Sequence, residues 1–136
     1  MRTPVIAIYS DNQIVRQTLV TALGTQLATD LAPHKVIEFA TGPALRLFLD
    51  QKGKIDLFIL DGEATPEGGM GIARQLKDEI HNCPPTLVIT GRAQDAWLAS
   101  WSMADATVVH PIDPFTIAHK VAGLFRPLLQ SDVVTA

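Results

Sequence analysis

Four continuous apolar runs constrain this chain more than any other feature: Val5-Ile6-Ala7-Ile8-Tyr9, Leu57-Phe58-Ile59-Leu60, Leu87-Val88-Ile89 and Val108-Val109. A strand with one wet face alternates apolar and polar residues. An unbroken run suits a strand covered on both faces, as in a parallel sheet sandwiched between helices. Val36-Ile37-Glu38-Phe39 is a weaker fifth candidate, interrupted by a charge and so expected nearer a sheet edge.

The stretches between the runs carry helical spacing. Val15, Leu19, Ala22, Leu23 and Leu27 form one apolar stripe. Gly42-Pro43 opens a second helix, where the missing proline N–H costs nothing. Ile72, Ala73, Leu76 and Ile80 make a third, ended by Cys83-Pro84-Pro85, and a fourth is expected from about Gln94 to Ser102. Asp113-Pro114 caps a fifth, carrying Ile117, Ala118, Val121 and Phe125 and expected to stop before Pro127. Five β–α units in this order predict an α/β fold: a five-stranded parallel sheet, doubly wound, with helices on both faces. One domain over residues 1–129 is expected, with 130–136 as a short C-terminal tail.

Composition narrows the function classes. With 47% hydrophobic and 18% charged residues the chain belongs with folded globular proteins. A formal net charge of −3, with Lys and Arg scattered singly, argues against a nucleic-acid partner. Cys83 is the single cysteine, so no internal disulfide can form and a reducing compartment is expected. The apolar run before Asp11 is too brief for a signal peptide, and no stretch approaches the roughly 20 residues that span a bilayer. The expectation is a soluble, cytoplasmic protein without a membrane partner.

In open α/β sheets ligands gather beyond the carboxyl ends of the strands. Those ends carry Ser10-Asp11-Asn12, Asp61, Thr90 and His110-Pro111. Two carboxylates suffice for Mg²⁺, which keeps several waters, and a metal-bound aspartate beside a hydroxyl can accept a phosphoryl group. Each residue also has a plainer reading. Asp11 could cap the first helix, and His110 could be an ordinary hydrogen-bonded turn residue. Glycines 68, 69 and 71 lack the following Gly-Lys-Ser/Thr of a phosphate loop, and His34, His81, His110 and His119 show no metal-ligand spacing.

Taken together, Tyr9-Ser10-Asp11, the acid-flanked Asp56-Leu57-Phe58-Ile59-Leu60-Asp61, Thr90 and Pro111 resemble the receiver domain of bacterial two-component response regulators, from Val5 to about Leu129. The resemblance implies a flavodoxin-like receiver fold, a signalling role instead of an enzymatic one, and phosphorylation of Asp61 by a histidine kinase. It further implies Mg²⁺ held by Asp11, Asp61 and the backbone carbonyl of Glu63. Thr90 and His110 then match the family's switch hydroxyl and lysine, and Pro111 its cis-proline. Trp97 and Trp101, four apart on one helix face, either pack onto the sheet or anchor a partner. In this family the fourth helix, fifth strand and fifth helix form the usual surface for homodimers and for signalling partners.

Departures from the family are as informative. Its acidic pair has become Ser10-Asp11, which removes one carboxylate from the metal. Its lysine has become His110. A lysine gives a phosphoryl group a permanent cation, roughly 4 kcal/mol at about 4 Å and an effective dielectric of 20 before desolvation. A neutral imidazole gives one hydrogen bond, about 1 kcal/mol net. The loop 62–71 is about two residues longer than usual and rich in glycine, and Thr107 stands where an aromatic often acts as readout rotor. The leading expectation is a stand-alone response-regulator switch phosphorylated on Asp61. The alternative is a pseudo-receiver, a phosphorylation-independent protein-interaction module. A metal-dependent phosphatase built on Asp11 and Asp61 is disfavoured, because no second acid is placed for general acid–base work.

Overall fold

The computed structural model describes residues 3–92 and 96–135; for residue 96 and residues 129–135 only the backbone is described. The elements alternate as β1 (Val5–Tyr9), α1 (Gln13–Leu23), β2 (Lys35–Phe39), α2 (Gly42–Asp50), β3 (Leu57–Asp61), α3 (Gly69–Glu79), β4 (Thr86–Thr90), α4 (Ala96–Trp101), β5 (Ala106–Val109) and α5 (Pro114–Thr135). The strands form one parallel sheet in the order β2-β1-β3-β4-β5. β3 and β4 are buried at every position, as their unbroken apolar runs require. The charge-interrupted β2 is an edge strand, as expected.

Alternate residues of each strand serve different cores. Ile6, Ile8, Leu57 and Ile59 pack with Leu19 and Leu23 of α1 and with Ile117, Val121 and Phe125 of α5. Ala7, Tyr9, Phe58 and Leu60 face the other way, onto Leu45 of α2 and Ile72, Ala73 and Leu76 of α3. The sheet is therefore covered on both sides, and its carboxyl edge is left open between the connecting loops.

Several sequence expectations are corrected. α1 ends at Leu23 because Gly24 adopts φ 54, a left-handed conformation that suits glycine and breaks the helix. Leu27 therefore lies beyond the helix, although it still packs against the core. α3 begins inside the glycine-rich stretch, so Gly69 and Gly71 are helical, and it ends at Glu79, well before the prolines. The expected start of the fourth helix near Gln94 lies outside the described residues, and α4 ends at Trp101. α5 does not stop before Pro127 but runs through it to Thr135. An interior proline forfeits a hydrogen bond, but Leu124, Phe125 and Leu128 on both sides of it pack against the core. The backbone of residues 130–135, expected to be a tail, continues this helix.

Val109 is 42% exposed, because β5 forms the other edge of the sheet. Trp97 and Trp101 do not pack onto the sheet: they are 68% and 50% exposed. Ala99 and Ser102 are the buried residues of this region, so the small side chains take the inner face and the indoles turn outward.

Candidate functional site

The carboxyl edge brings the sequence-predicted residues together around Asp61. As the last residue of the central strand β3 it is only 3% exposed. Its carboxylate is held from three directions. Ser10 Oγ donates to Oδ2 at 2.8 Å. The Glu63 amide donates to Oδ1 at 2.9 Å, and His110 Nε2 lies 3.1 Å from the same oxygen. An ionised carboxylate can only accept, so the His110 contact requires the proton on Nε2.

Local structure explains how each partner arrives. Ser10 follows β1 and is fully buried; its Oγ also accepts from the Asn12 amide at 3.1 Å, and its carbonyl accepts from Arg16 Nη1 at 2.7 Å. Asn12, not Asp11, caps α1, its Oδ1 accepting from the Ile14 and Val15 amides at 2.8 and 3.3 Å. The cap reading of Asp11 is thereby excluded. Asp11 instead projects from the rim, and its Oδ2 accepts from Thr65 Oγ1 at 3.0 Å. His110 follows β5, and its amide donates to the Thr90 carbonyl at 2.8 Å. The His110–Pro111 peptide is cis, as the resemblance implied, and Thr65–Pro66 is a second cis bond that the sequence did not announce.

Two expected contributors stand differently. Thr90 is buried at the end of β4, but its hydroxyl donates to the Val108 carbonyl at 3.3 Å and makes no hydrogen bond to Asp61. Glu63 is exposed, and its side chain lies flat across Gly91, where an added Cβ would fall 1.5 Å from Oε1. Asp11, Asn12, Val15, Asp61, Glu63, Gly91 and His110 line one open cleft of ≈ 510 Å³.

Sequence reasoning missed the residues that organise the β3–α3 loop. Tyr9 Oη donates to the Glu67 carbonyl at 2.5 Å. Its phenol is pushed above the ordinary tyrosine value by burial, and then by the negative charges of Glu67 and Asp11. Arg46 forks the Glu67 carboxylate at 2.9 and 2.5 Å, which holds that carboxyl below its usual range. No spacing rule links Arg46 to Glu67, since they meet only once α2 and the loop pack together.

The donor set suits Mg²⁺. Two carboxylates, Asp11 and Asp61, border one cleft with Glu63, and Mg²⁺ takes hard oxygen ligands and needs only one or two carboxylates. Among the described residues no group of three or more His, Cys, Asp or Glu gathers.

Comparisons with known proteins agree with this geometry. No family model matches the sequence. An uncharacterised response regulatory protein of Mycobacterium tuberculosis, from strains CDC 1551 / Oshkosh and ATCC 25618 / H37Rv, is 54% identical over 121 residues, covering 89% of this chain and 90% of the relative. Among solved structures, the receiver domain of a putative LuxO repressor protein from Vibrio parahaemolyticus superposes with TM-score 0.78 at 17% identity, covering 99% of each chain. The Thermotoga maritima response regulator TrrA, solved in complex with Mg²⁺-BeF, gives TM-score 0.71 at 24% identity over 90% of this chain and 99% of its own. These structural matches concern the fold.

Proposed function

Because this chain belongs to the receiver domains of two-component response regulators, we propose that it is a switch set by transfer of a phosphoryl group to Asp61. The observation that carries this reading is the placement of Asp61: a buried carboxylate, fixed by three donors, at a cleft whose rim carries a second carboxylate. A carboxylate oxygen of Asp61 attacks phosphorus; a P–O bond forms as the bond to the donor's imidazole nitrogen breaks, and the electron pair stays on that nitrogen. Ser10, the Glu63 amide and His110 orient the nucleophile, and His110 Nε2–H can follow the charge onto the phosphoryl oxygens. Asp11, Asp61 and the Glu63 carbonyl would hold Mg²⁺, which supplies positive charge against the phosphoryl oxygens.

Receiver domains work with histidine kinases and other signalling proteins. The outward face for such a partner, or for a homodimer, is the one formed by α4, β5 and α5, where Trp97, Trp101, Val109 and Phe115 are exposed. Among the described residues no helix is long and apolar enough to cross a membrane.

Incubation with a small-molecule phosphodonor and Mg²⁺, followed by intact-protein mass spectrometry, tests the reading. One phosphoryl adduct that hydroxylamine and alkali remove is expected, absent without Mg²⁺ and absent in Asp61→Asn. An adduct that survives Asp61→Asn, or none in the folded wild type, rules it out. One observation favours the phosphate-independent pseudo-receiver instead: the Thr90 hydroxyl is already committed to Val108. Absence of any adduct would leave that reading, with output through the exposed surface alone.

A further inference from the structure

The segment between β3 and α3 is tied down at one end and touches the opposite rim of the cleft at the other. Its anchor is Glu67. The carboxylate is forked by Arg46 of α2, whose Nε and Nη2 also donate to Gln75 Oε1 at 3.1 and 2.6 Å. The same carboxylate lies over Gly42 in the first turn of α2, where an added Cβ would come within 2.4 Å of Glu67 Oε1. The main chain is held as well, through Tyr9 Oη on the Glu67 carbonyl. Two residues back, Thr65 donates to Asp11 Oδ2 at 3.0 Å. This is the hydrogen bond that the Asp11 carboxylate makes among the described residues.

We infer that the loop is a strap and that Thr65 is a positioning residue for the divalent cation, holding the Asp11 carboxylate at the cleft. The inference rests on the Mg²⁺ reading above. Asp11 is exposed and would otherwise sample several rotamers, and fixing it in advance lowers the ordering cost of binding. One hydrogen bond leaves ample acceptor capacity, since a carboxylate has about four lone-pair sites. Preorganisation matters more here than with a full acidic pair, because Ser10 contributes no charge to the cation.

Calorimetric Mg²⁺ titration of wild type, Asp11→Asn, Thr65→Val and Thr65→Ser, each checked by circular dichroism, decides the matter. Valine keeps the branched shape without the donor, and serine keeps the donor. Thr65→Val is expected to bind Mg²⁺ about fivefold more weakly, the equivalent of one hydrogen bond of about 1 kcal/mol. Thr65→Ser should restore affinity to within about twofold of wild type, a rescue that purely steric packing would not give. If Asp11→Asn weakens binding while Thr65→Val does not, or if serine fails to rescue, the strap is refuted and the cation site stands. Tighter binding by Thr65→Val would make Thr65 a competitor and refute it equally. If wild type binds no Mg²⁺, or binds it indifferently to Asp11→Asn, the cation reading falls and takes the strap with it.

Discussion

Replacing Ser10 with aspartate would restore the family's acidic pair, and the structure sets the consequence. Ser10 Oγ sits 2.8 Å from Asp61 Oδ2, with the two residues 0% and 3% exposed. The substitution removes a donor to a charged acceptor, worth about 1.5–3 kcal/mol. It also sets a second carboxylate about 4 Å from the first, a repulsion of roughly 4 kcal/mol at an effective dielectric of 20. Together these exceed the lower end of a whole domain's stability, about 5–15 kcal/mol. Because the new side chain can turn toward the cleft, we expect Ser10→Asp to lose about 3–5 kcal/mol in urea unfolding with EDTA present.

Saturating Mg²⁺ should return much of that loss, since a ligand at 100 times its Kd adds about 2.7 kcal/mol to the state that binds it. Ser10→Ala is the control. It loses the hydrogen bond without adding charge, so it should fall by about 1.5–3 kcal/mol and gain no more from Mg²⁺ than wild type does. If Ser10→Asp is as stable as wild type in EDTA, the buried contact with Asp61 is misjudged. If its loss is identical with and without Mg²⁺, no cation sits between these carboxylates. Adding His110→Lys to Ser10→Asp should recover stability in EDTA as well, because the ammonium would answer the added charge on Asp61's other oxygen.

His34 Nε2 contacts the Gly24 carbonyl at 2.9 Å while Nδ1 is buried with no partner among the described residues, and burial holds the imidazole below the usual histidine value despite that contact. The unfolded chain therefore takes up the proton first; stability present above about pH 6.5 is lost as pH falls toward the lowered folded value, by at most about 1.4 kcal/mol per unit, and His34→Phe should flatten this slope in urea midpoints. Equal slopes for the two proteins would refute the assignment. Gly69→Ala would drive a Cβ to 2.7 Å from the Asp61 carbonyl oxygen and should cost about 1–3 kcal/mol or more in thermal unfolding. For Gly91→Ala the three nearest atoms all belong to the flexible Glu63 side chain, so it should cost under about 1 kcal/mol, a loss that shrinks in a Glu63→Ala background. Trp97→Ala and Trp101→Ala should each change stability by about 1 kcal/mol or less, the latter through the Arg74 guanidinium 5.7 Å from its ring, while light scattering shows any self-association weakened; a large stability loss would return the indoles to the core.

The sheet was legible because burial on both faces leaves an unbroken run, and β3 and β4 are buried throughout. Where packing overrides local preference, the sequence misled. Pro127 reads as a stop, but core contacts on both sides of it carry α5 through. The two tryptophans read either as sheet packing or as a partner anchor, and only the structure separates these, because Ala99 and Ser102 take the inner positions. Of the site, the strand-end residues were visible because parallel strands deliver their carboxyl ends to one edge. Thr65 and Glu67 were not, since their partners Asp11 and Arg46 lie far away in sequence and no periodicity joins them.

Ser10 and His110 read in sequence as two separate losses, one carboxylate and one lysine. The structure places both on the same carboxylate, Ser10 on Oδ2 and His110 on Oδ1. The family arrangement of an acidic pair, a phospho-accepting aspartate and a lysine sums to a formal charge of −2. Asp11 and Asp61 with histidine counted as neutral sum to −2 as well. One negative and one positive charge have been exchanged together for two neutral hydrogen-bonding groups around one buried oxygen pair. Removing either charge alone would leave the buried Asp61 with the wrong field: an unanswered neighbouring acid, or an ammonium left with a diminished set of acids. Hydrogen bonds can stand in for that cancelled pair because each still satisfies an Asp61 oxygen, and satisfaction, more than charge, is what a carboxylate at 3% exposure needs to stay folded.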